Sequence, residues 1–255
     1  SDIVSVSLMP CTAKKFEAGR PEMADSGYVD VDYSITTREL AKMIKESGMA
    51  IGDLEETDFD DPFGTATGSG VIFAASGGVM EAALRTVYEL VTGDSVAPDD
   101  LAKNVIAIRG FEGVKVLELT LPDKVGPVPE ILKMNKDLPF DNWDWVKGAT
   151  LRLAVAHGGA NIRKILDDIQ NGGEFSKMHF IEFMACPGGC LGGGGQPIPT
   201  NAKIRQARSN AIYGEDKAYK LRKSHENPAV VELYKNFLTD GPCGHKSHDL
   251  LHTHY

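Results

Sequence analysis

The chain has 255 residues, 42% of them apolar, and a formal charge of −9. That is enough apolar sequence for one large core or two lobes, and the excess of carboxylates excludes a nucleic-acid-binding surface while leaving small substrates or basic protein partners. No stretch has the length and apolarity of a membrane span, the start Ser-Asp-Ile-Val is no signal sequence, and four cysteines do not make a secreted disulfide framework; a soluble, cytoplasmic protein with metal or redox chemistry is the expectation.

In chain order, Ile3, Val4, Val6 and Leu8 lead into Met9-Pro10-Cys11 and predict a buried strand that delivers a cysteine into the loop at its end. Because the first residue is not Met and the strand begins at once, the chain is expected to open inside a fold, with further sequence ahead of it. Thr36 and Glu39 have capping-box spacing, and Leu40, Ala41, Met43 and Ile44 supply a helical stripe as far as Gly48. Residues 49–70, acidic and rich in Gly and Thr, predict an irregular surface segment before the apolar run Val71-Ile72-Phe73. Gly77 and Gly78 precede a second helix in which Val79, Met80, Ala83, Leu84, Val87 and Leu90 repeat at helical spacing until Gly93.

Strands are expected at 104–109 and 114–121. The stretch 122–148, with Pro127, Pro129, Pro139 and two exposed tryptophans, Trp143 and Trp145, interrupts a hairpin with Leu151–Ala156 and is expected to be an insertion facing a partner. Asn161 is a candidate cap for a helix through Ile169, and Met178–Met184 forms another apolar run ending near Cys186. The tail, 213–255, is charged and mostly helical. Strands and helices alternate, so an α/β fold with chemistry on the loops at strand ends is expected.

Cys186-Pro187-Gly188-Gly189-Cys190 places two thiols four residues apart. With Pro187 at the first position of a helical turn, both would lie on one helix face, Cβ atoms about 5–6 Å apart, where two thiolates can reach neighbouring irons of one cubane. The glycines Gly192 to Gly195 remove four side chains, so backbone can approach a bulky cofactor; a flexible linker has the same composition. Bland alternatives are an inert cysteine pair or a zinc site using Cys243 with His245, His248, His252 and His254 of the tail. A radical-enzyme cluster would need a third cysteine where Gly193 stands.

Met9-Pro10-Cys11-Thr12-Ala13-Lys14-Lys15-Phe16-Glu17 resembles the second signature of the iron-only hydrogenases. Glu182-Phe183-Met184-Ala185-Cys186-Pro187-Gly188-Gly189-Cys190, continued by the glycines and Gln196-Pro197, resembles the third. Thr36–Ala41, Gly77–Glu81 and Arg222–Pro228 extend the resemblance along the chain, which departs at 122–148. The first signature, a Thr-Ser-Cys-Cys-Pro-like segment that supplies one more cluster cysteine and a proton-relay cysteine, is absent.

The resemblance implies the C-terminal part of a two-lobed hydrogenase domain, residues 1–255, with twisted sheets flanked by helices. It implies an H-cluster: a 4Fe-4S cubane joined through one thiolate to a two-iron unit with carbonyl, cyanide and dithiolate ligands. By motif position, Cys11 and Cys186 bind the cubane, Cys190 bridges it to the two-iron unit, Lys14 contacts cyanide, and Met9 and Met184 line the two-iron unit; Phe73 packs at the pocket wall and Glu17 anchors its own loop. Taken alone, Lys14 would be a surface lysine and the methionines core. The implied reaction interconverts hydrogen with protons and electrons. Electrons would arrive through accessory iron-sulfur domains or subunits, from ferredoxin, a nicotinamide-nucleotide module or a formate-oxidising module. A hydrogen sensor or an iron-sulfur assembly factor is the alternative from a different class, and a structural zinc protein a third.

Overall fold

A short parallel pair opens the fold: β1 (Val6–Met9) lies beside β2 (Tyr33–Thr36), with Met9 opposite Thr36. The computed structural model describes residues 2–99, 101, 109, 110, 112–137 and 141–253. A parallel pair needs a crossover, and here it contains α1 (Ala13–Glu17) and a 3-10 turn at Pro21–Ala24. β2 runs directly into α2 (Thr37–Glu46), whose start is the expected capping box: the Thr36 hydroxyl accepts from Glu39 N–H at 3.2 Å and the Glu39 carboxylate accepts from Thr36 N–H at 2.7 Å. The strand is where the sequence predicts it, but its burial is not. Ile3, Val4, Val6 and Leu8 are 79, 64, 54 and 47% exposed, because a two-stranded sheet has no second layer to cover its apolar residues within these residues.

The second sheet has the order β3 (Val114–Thr120), β4 (Thr150–His157), β5 (Phe180–Met184), with β3 antiparallel and β5 parallel to β4. The connection from β4 to β5 is α6 (Gly159–Gln170). Leu153 to His157 are buried at five successive positions, as expected of a central strand covered on both faces. The parallel register sets His157 opposite Met184, so both strands end at the same edge. Asn161 does not cap α6 as expected. The helix begins at Gly159, and Asn161, inside its first turn, instead donates through Nδ2 to the His157 carbonyl at 2.9 Å.

Two further helices bring the remaining chain to that edge. α3 (Gly68–Ile72) absorbs most of the apolar run expected after the irregular segment, and α4 (Gly78–Thr92) lies between Gly77 and Gly93, both left-handed. α4 turns Met80 and Leu84 onto Leu119, Leu153 and Val155. Its last turn places Val91 in a second cluster with Leu121, Val128, Trp143 and Val146, beside the short α5 (Glu130–Lys133). That cluster corrects the reading of Trp143 as exposed: it is only 6% exposed, while Trp145 is 73% exposed, as expected. Burying that indole offsets part of the cost of ordering the proline-rich loop. The strand expected at 104–109 lies outside the described residues except for Arg109.

The C-terminal segment is mostly helical, as expected, and its first helix begins earlier than 213: α7 (Ala202–Ala218), α8 (Pro228–Asn236) and α9 (His245–Leu251). α7 packs on α3, where a side chain at Gly68 would collide with the Asp216 carboxylate. Among the described residues no helix is long and apolar enough to cross a membrane.

Candidate metal centre

Three loops meet at the end of the two sheets. The first, after β1, carries Cys11; the second, Ala74 to Gly77, enters α4; the third, after β5, carries Cys186 and Cys190. The third is not the helical turn expected from its spacing. Gly188 and Gly189 have φ of 81° and 79°, a left-handed pair that breaks any α-helix, and the Gly189 N–H closes a tight turn onto the Cys186 carbonyl at 2.9 Å. The turn is then stitched to the second loop: Gly189 bridges Ala75, Ser76 N–H donates to the Gly188 carbonyl at 3.2 Å, and Leu191 N–H to the Ala74 carbonyl at 3.2 Å. A Cβ on Gly189 would come within 2.7 Å of the Ser76 nitrogen.

The glycine run after Cys190 joins the third loop to the first. Gly195 N–H donates to the Pro10 carbonyl at 3.1 Å, a Cβ on Gly195 would sit 2.9 Å from the Cys11 nitrogen, and one on Gly193 would overlap the Pro10 carbonyl. These glycines are therefore not a flexible linker. They let two cysteine-bearing backbones touch.

Cys11, Cys186 and Cys190 are all free and partly buried, on loops whose backbones touch. Burial pushes the Cys190 thiol above its ordinary pKa, the Cys11 and Cys186 thiols push it further, and the Lys14 ammonium pulls it back. Lys14 lies in the first turn of α1, is itself exposed, and is paired with Glu17 at 2.6 Å. Met9 and Lys14 line one cavity of about 120 Å³ with Glu17 and Met23. Met184 ends β5, partly buried, its carbonyl accepting from Gly158 N–H at 2.9 Å. Phe73 follows α3 with 46% of its surface exposed, next to the Ala74 that binds Leu191. Cys243 is exposed in the tail with φ of 59°. Among the described residues, no three of His, Cys, Asp and Glu close on a point that would hold a single metal ion.

Soft sulfur ligands on adjoining loops are the donor set of a thiolate-bound cluster. A cubane takes four such ligands, and these residues offer three. They fit three of the four ligand positions of an iron-sulfur cubane.

Two buried groups at the site were not singled out from sequence. Glu182, on β5, is 5% exposed and accepts from Gly77 N–H at 2.6 Å and Met80 N–H at 2.8 Å, capping α4 from another element; burial raises its pKa against those bonds. The other, His157, ends β4. The visible signal for both was a polar residue inside an apolar strand pattern.

The Cys11 loop is also tied to α2, because the Lys15 ammonium lies 2.9 Å from Glu39. That contact first, then the Thr36 N–H and hydroxyl, pulls the Glu39 carboxyl from 4.5 down to about 2. The folded value lies below the unfolded one, so the contribution is present above about pH 4.5 and is lost as pH falls through about 2. A carbon-13 NMR titration is expected to place the Glu39 midpoint near 2, and Lys15→Met to move it back toward 4.5; an unchanged midpoint would remove Lys15 as the cause.

Comparison with known proteins follows the same lines. A family model described as iron only hydrogenase large subunit, C-terminal domain, matches residues 1–194, and one described as iron hydrogenase small subunit matches residues 202–255. The chain is 44% identical to NADP-reducing hydrogenase subunit HndD of Solidesulfovibrio fructosivorans, over 99% of this chain and 38% of that protein. It is 30% identical to cytosolic iron-sulfur assembly component 3 of Pongo abelii, over 99% of this chain and 47% of that protein. The solved structure of FeFe-hydrogenase HydA1 from Chlamydomonas reinhardtii superposes with a TM-score of 0.73 at 39% identity, covering 100% of this chain and 63% of that one. The chain thus spans less than half the length of these two curated relatives.

Proposed function

Because the chain belongs to the iron-only hydrogenase family, we propose that it forms the three-thiolate part of a hydrogen-activating centre within a larger protein. The observation that carries this reading is the backbone contact that joins the Cys11 loop to the Cys186–Cys190 loop, with Gly195 N–H on the Pro10 carbonyl at 3.1 Å and Gly193 packed against the same carbonyl. In it, Cys11 and Cys186 hold a 4Fe-4S cubane, Cys190 joins the cubane to a two-iron unit, and a fourth thiolate comes from outside these 255 residues. When bound, the H-cluster supplies the metal chemistry by which hydrogen and two protons plus two electrons interconvert; the protein supplies placement and electrostatics.

Lys14 keeps a fixed positive charge on the thiolate side. Its ammonium has three donors, so it can hold Glu17 and still bind an anionic cyanide ligand. Met9 and Met184 offer polarizable, aprotic surface and keep water from the two-iron unit. Electrons reach the site through an accessory iron-sulfur domain or subunit, fed by a nicotinamide-nucleotide module, as the name of the NADP-reducing relative suggests, or by ferredoxin. Such a carrier fits a cytoplasmic setting.

The 30% identity to an iron-sulfur assembly component along nearly the whole chain favours a second reading, a relative that holds only the cubane. Infrared spectroscopy of the complete protein, matured with its iron centres, separates the two. Cyanide and carbonyl bands together with hydrogen evolution from a reduced viologen are expected; a cubane without those bands and without hydrogen would leave the assembly reading.

A further inference from the structure

His157 is held at every polar atom of its backbone and at one ring nitrogen. Its N–H donates to the Gly113 carbonyl at 3.0 Å and its carbonyl accepts from Asn161. Its Nδ1 accepts from Gly188 N–H at 2.8 Å, and the residue is 5% exposed. Gly188 lies midway between Cys186 and Cys190, and its own carbonyl is taken by Ser76 N–H. Both polar atoms of the central residue of the cysteine turn are therefore clamped, one by the end of β4 and the other by the entry to α4.

An Nδ1 that accepts carries no proton, so the ring is neutral with its proton on Nε2. Burial, then the charges of Lys115 and Arg205, lower its pKa and favour that form. Gly188 needs such an acceptor. Its φ of 81° takes its amide out of any helical ladder, and a buried amide without a partner is costly.

We propose that His157 is a positioning residue of the centre: through Gly188 it fixes the direction and separation of the Cys186 and Cys190 thiols before any cluster binds. This rests on the reading above for what the thiols hold, and extends it to a residue outside all three loops. A side chain of this kind acts as ligand-supporting groups do elsewhere, where their loss weakens metal binding by about 10–100-fold.

The test compares His157→Leu, which removes the acceptor, with His157→Asn, whose side-chain oxygen restores one at nearly the same place. Both are made in the complete, cluster-loaded protein, at a temperature where the cluster-free variants remain folded. Loss of iron to a chelator is expected to be about tenfold or more faster in His157→Leu and close to wild type in His157→Asn, with the cubane's electron paramagnetic resonance signal altered only in the former. Equal iron retention in His157→Leu, or equal loss in both variants, overturns the proposal. Should His157→Leu fail to fold, hydrogen exchange of the Gly188 amide in cluster-free wild-type protein decides instead: slow exchange supports the clamp and fast exchange refutes it. That measurement needs no cluster, so failure of the clamp and failure of the functional reading remain distinguishable.

Discussion

Replacing Cys190 with Ser in the complete protein is expected to abolish hydrogen turnover, a loss well beyond the about 10–100-fold that supporting residues cost. Cys190 is the proposed shared thiolate, electrostatically coupled to Cys11, Cys186 and Lys14, and a hydroxyl there is harder and far less ionised than a thiolate. The same chain with Lys14→Asn is expected to fail differently. It keeps all three thiols and the cubane's paramagnetic signal, loses the charge-assisted contact to cyanide, and shows shifted cyanide bands with reduced activity. Full activity in Cys190→Ser would end the catalytic assignment. Full activity and unshifted bands in Lys14→Asn would end only the role of Lys14.

The difference between what sequence showed and what it hid lies in the range of the interactions. The capping box of Thr36 and Glu39, the two glycines bounding α4, and strands that end beside cysteines are local patterns, and all are present in the fold. The cysteine turn was misread because spacing alone cannot distinguish a helical turn from one with two left-handed glycines. Trp143 reads as exposed in a proline-rich stretch, and only the second core cluster shows what it packs against. The glycine run was recognised as a place where backbone comes close; that the neighbour is Pro10, more than 180 residues earlier, is tertiary information. His157 and Glu182 were hidden for the same reason. Each binds an amide remote in sequence, 31 and more than 100 positions away.

Asp216 carries the most consequential of these remote contacts, and Asp216→Asn is expected to cost about 3–5 kcal/mol of stability at neutral pH. The carboxylate is 0% exposed; it accepts from Arg85 at 2.7 and 2.9 Å and from Arg222 at 2.7 Å. Arg85, just as buried, also holds Glu81 at 2.7 Å, and Glu81 in turn pairs with Arg109 at 2.6 Å. Arg85 and Glu81 belong to the segment matched by the large-subunit model, while Asp216 and Arg222 belong to the segment matched by the small-subunit model. The network is therefore the joint between the two. Loss of one carboxylate leaves the buried Arg85 with a single anionic partner, whereas Glu17→Gln at the exposed Lys14 pair should cost at most about 1 kcal/mol. Burial opposes ionisation of Asp216, but hydrogen bonds from Arg85 and Arg222 overcome it and hold its pKa below 3.8. With the folded value below the unfolded one, the stabilisation is complete above about pH 3.8 and disappears as pH falls through the folded value. Denaturant titrations should thus show wild type and Asp216→Asn far apart at pH 7 and converging in acid. Replacing both partners with apolar residues, as in Arg85→Met with Asp216→Leu, should recover only part of the loss, because buried Glu81 then keeps Arg109 alone and Arg222 keeps Asp99 alone. A single-variant cost below about 1 kcal/mol would place this network among ordinary surface pairs and show that apolar packing alone holds α7 to α3.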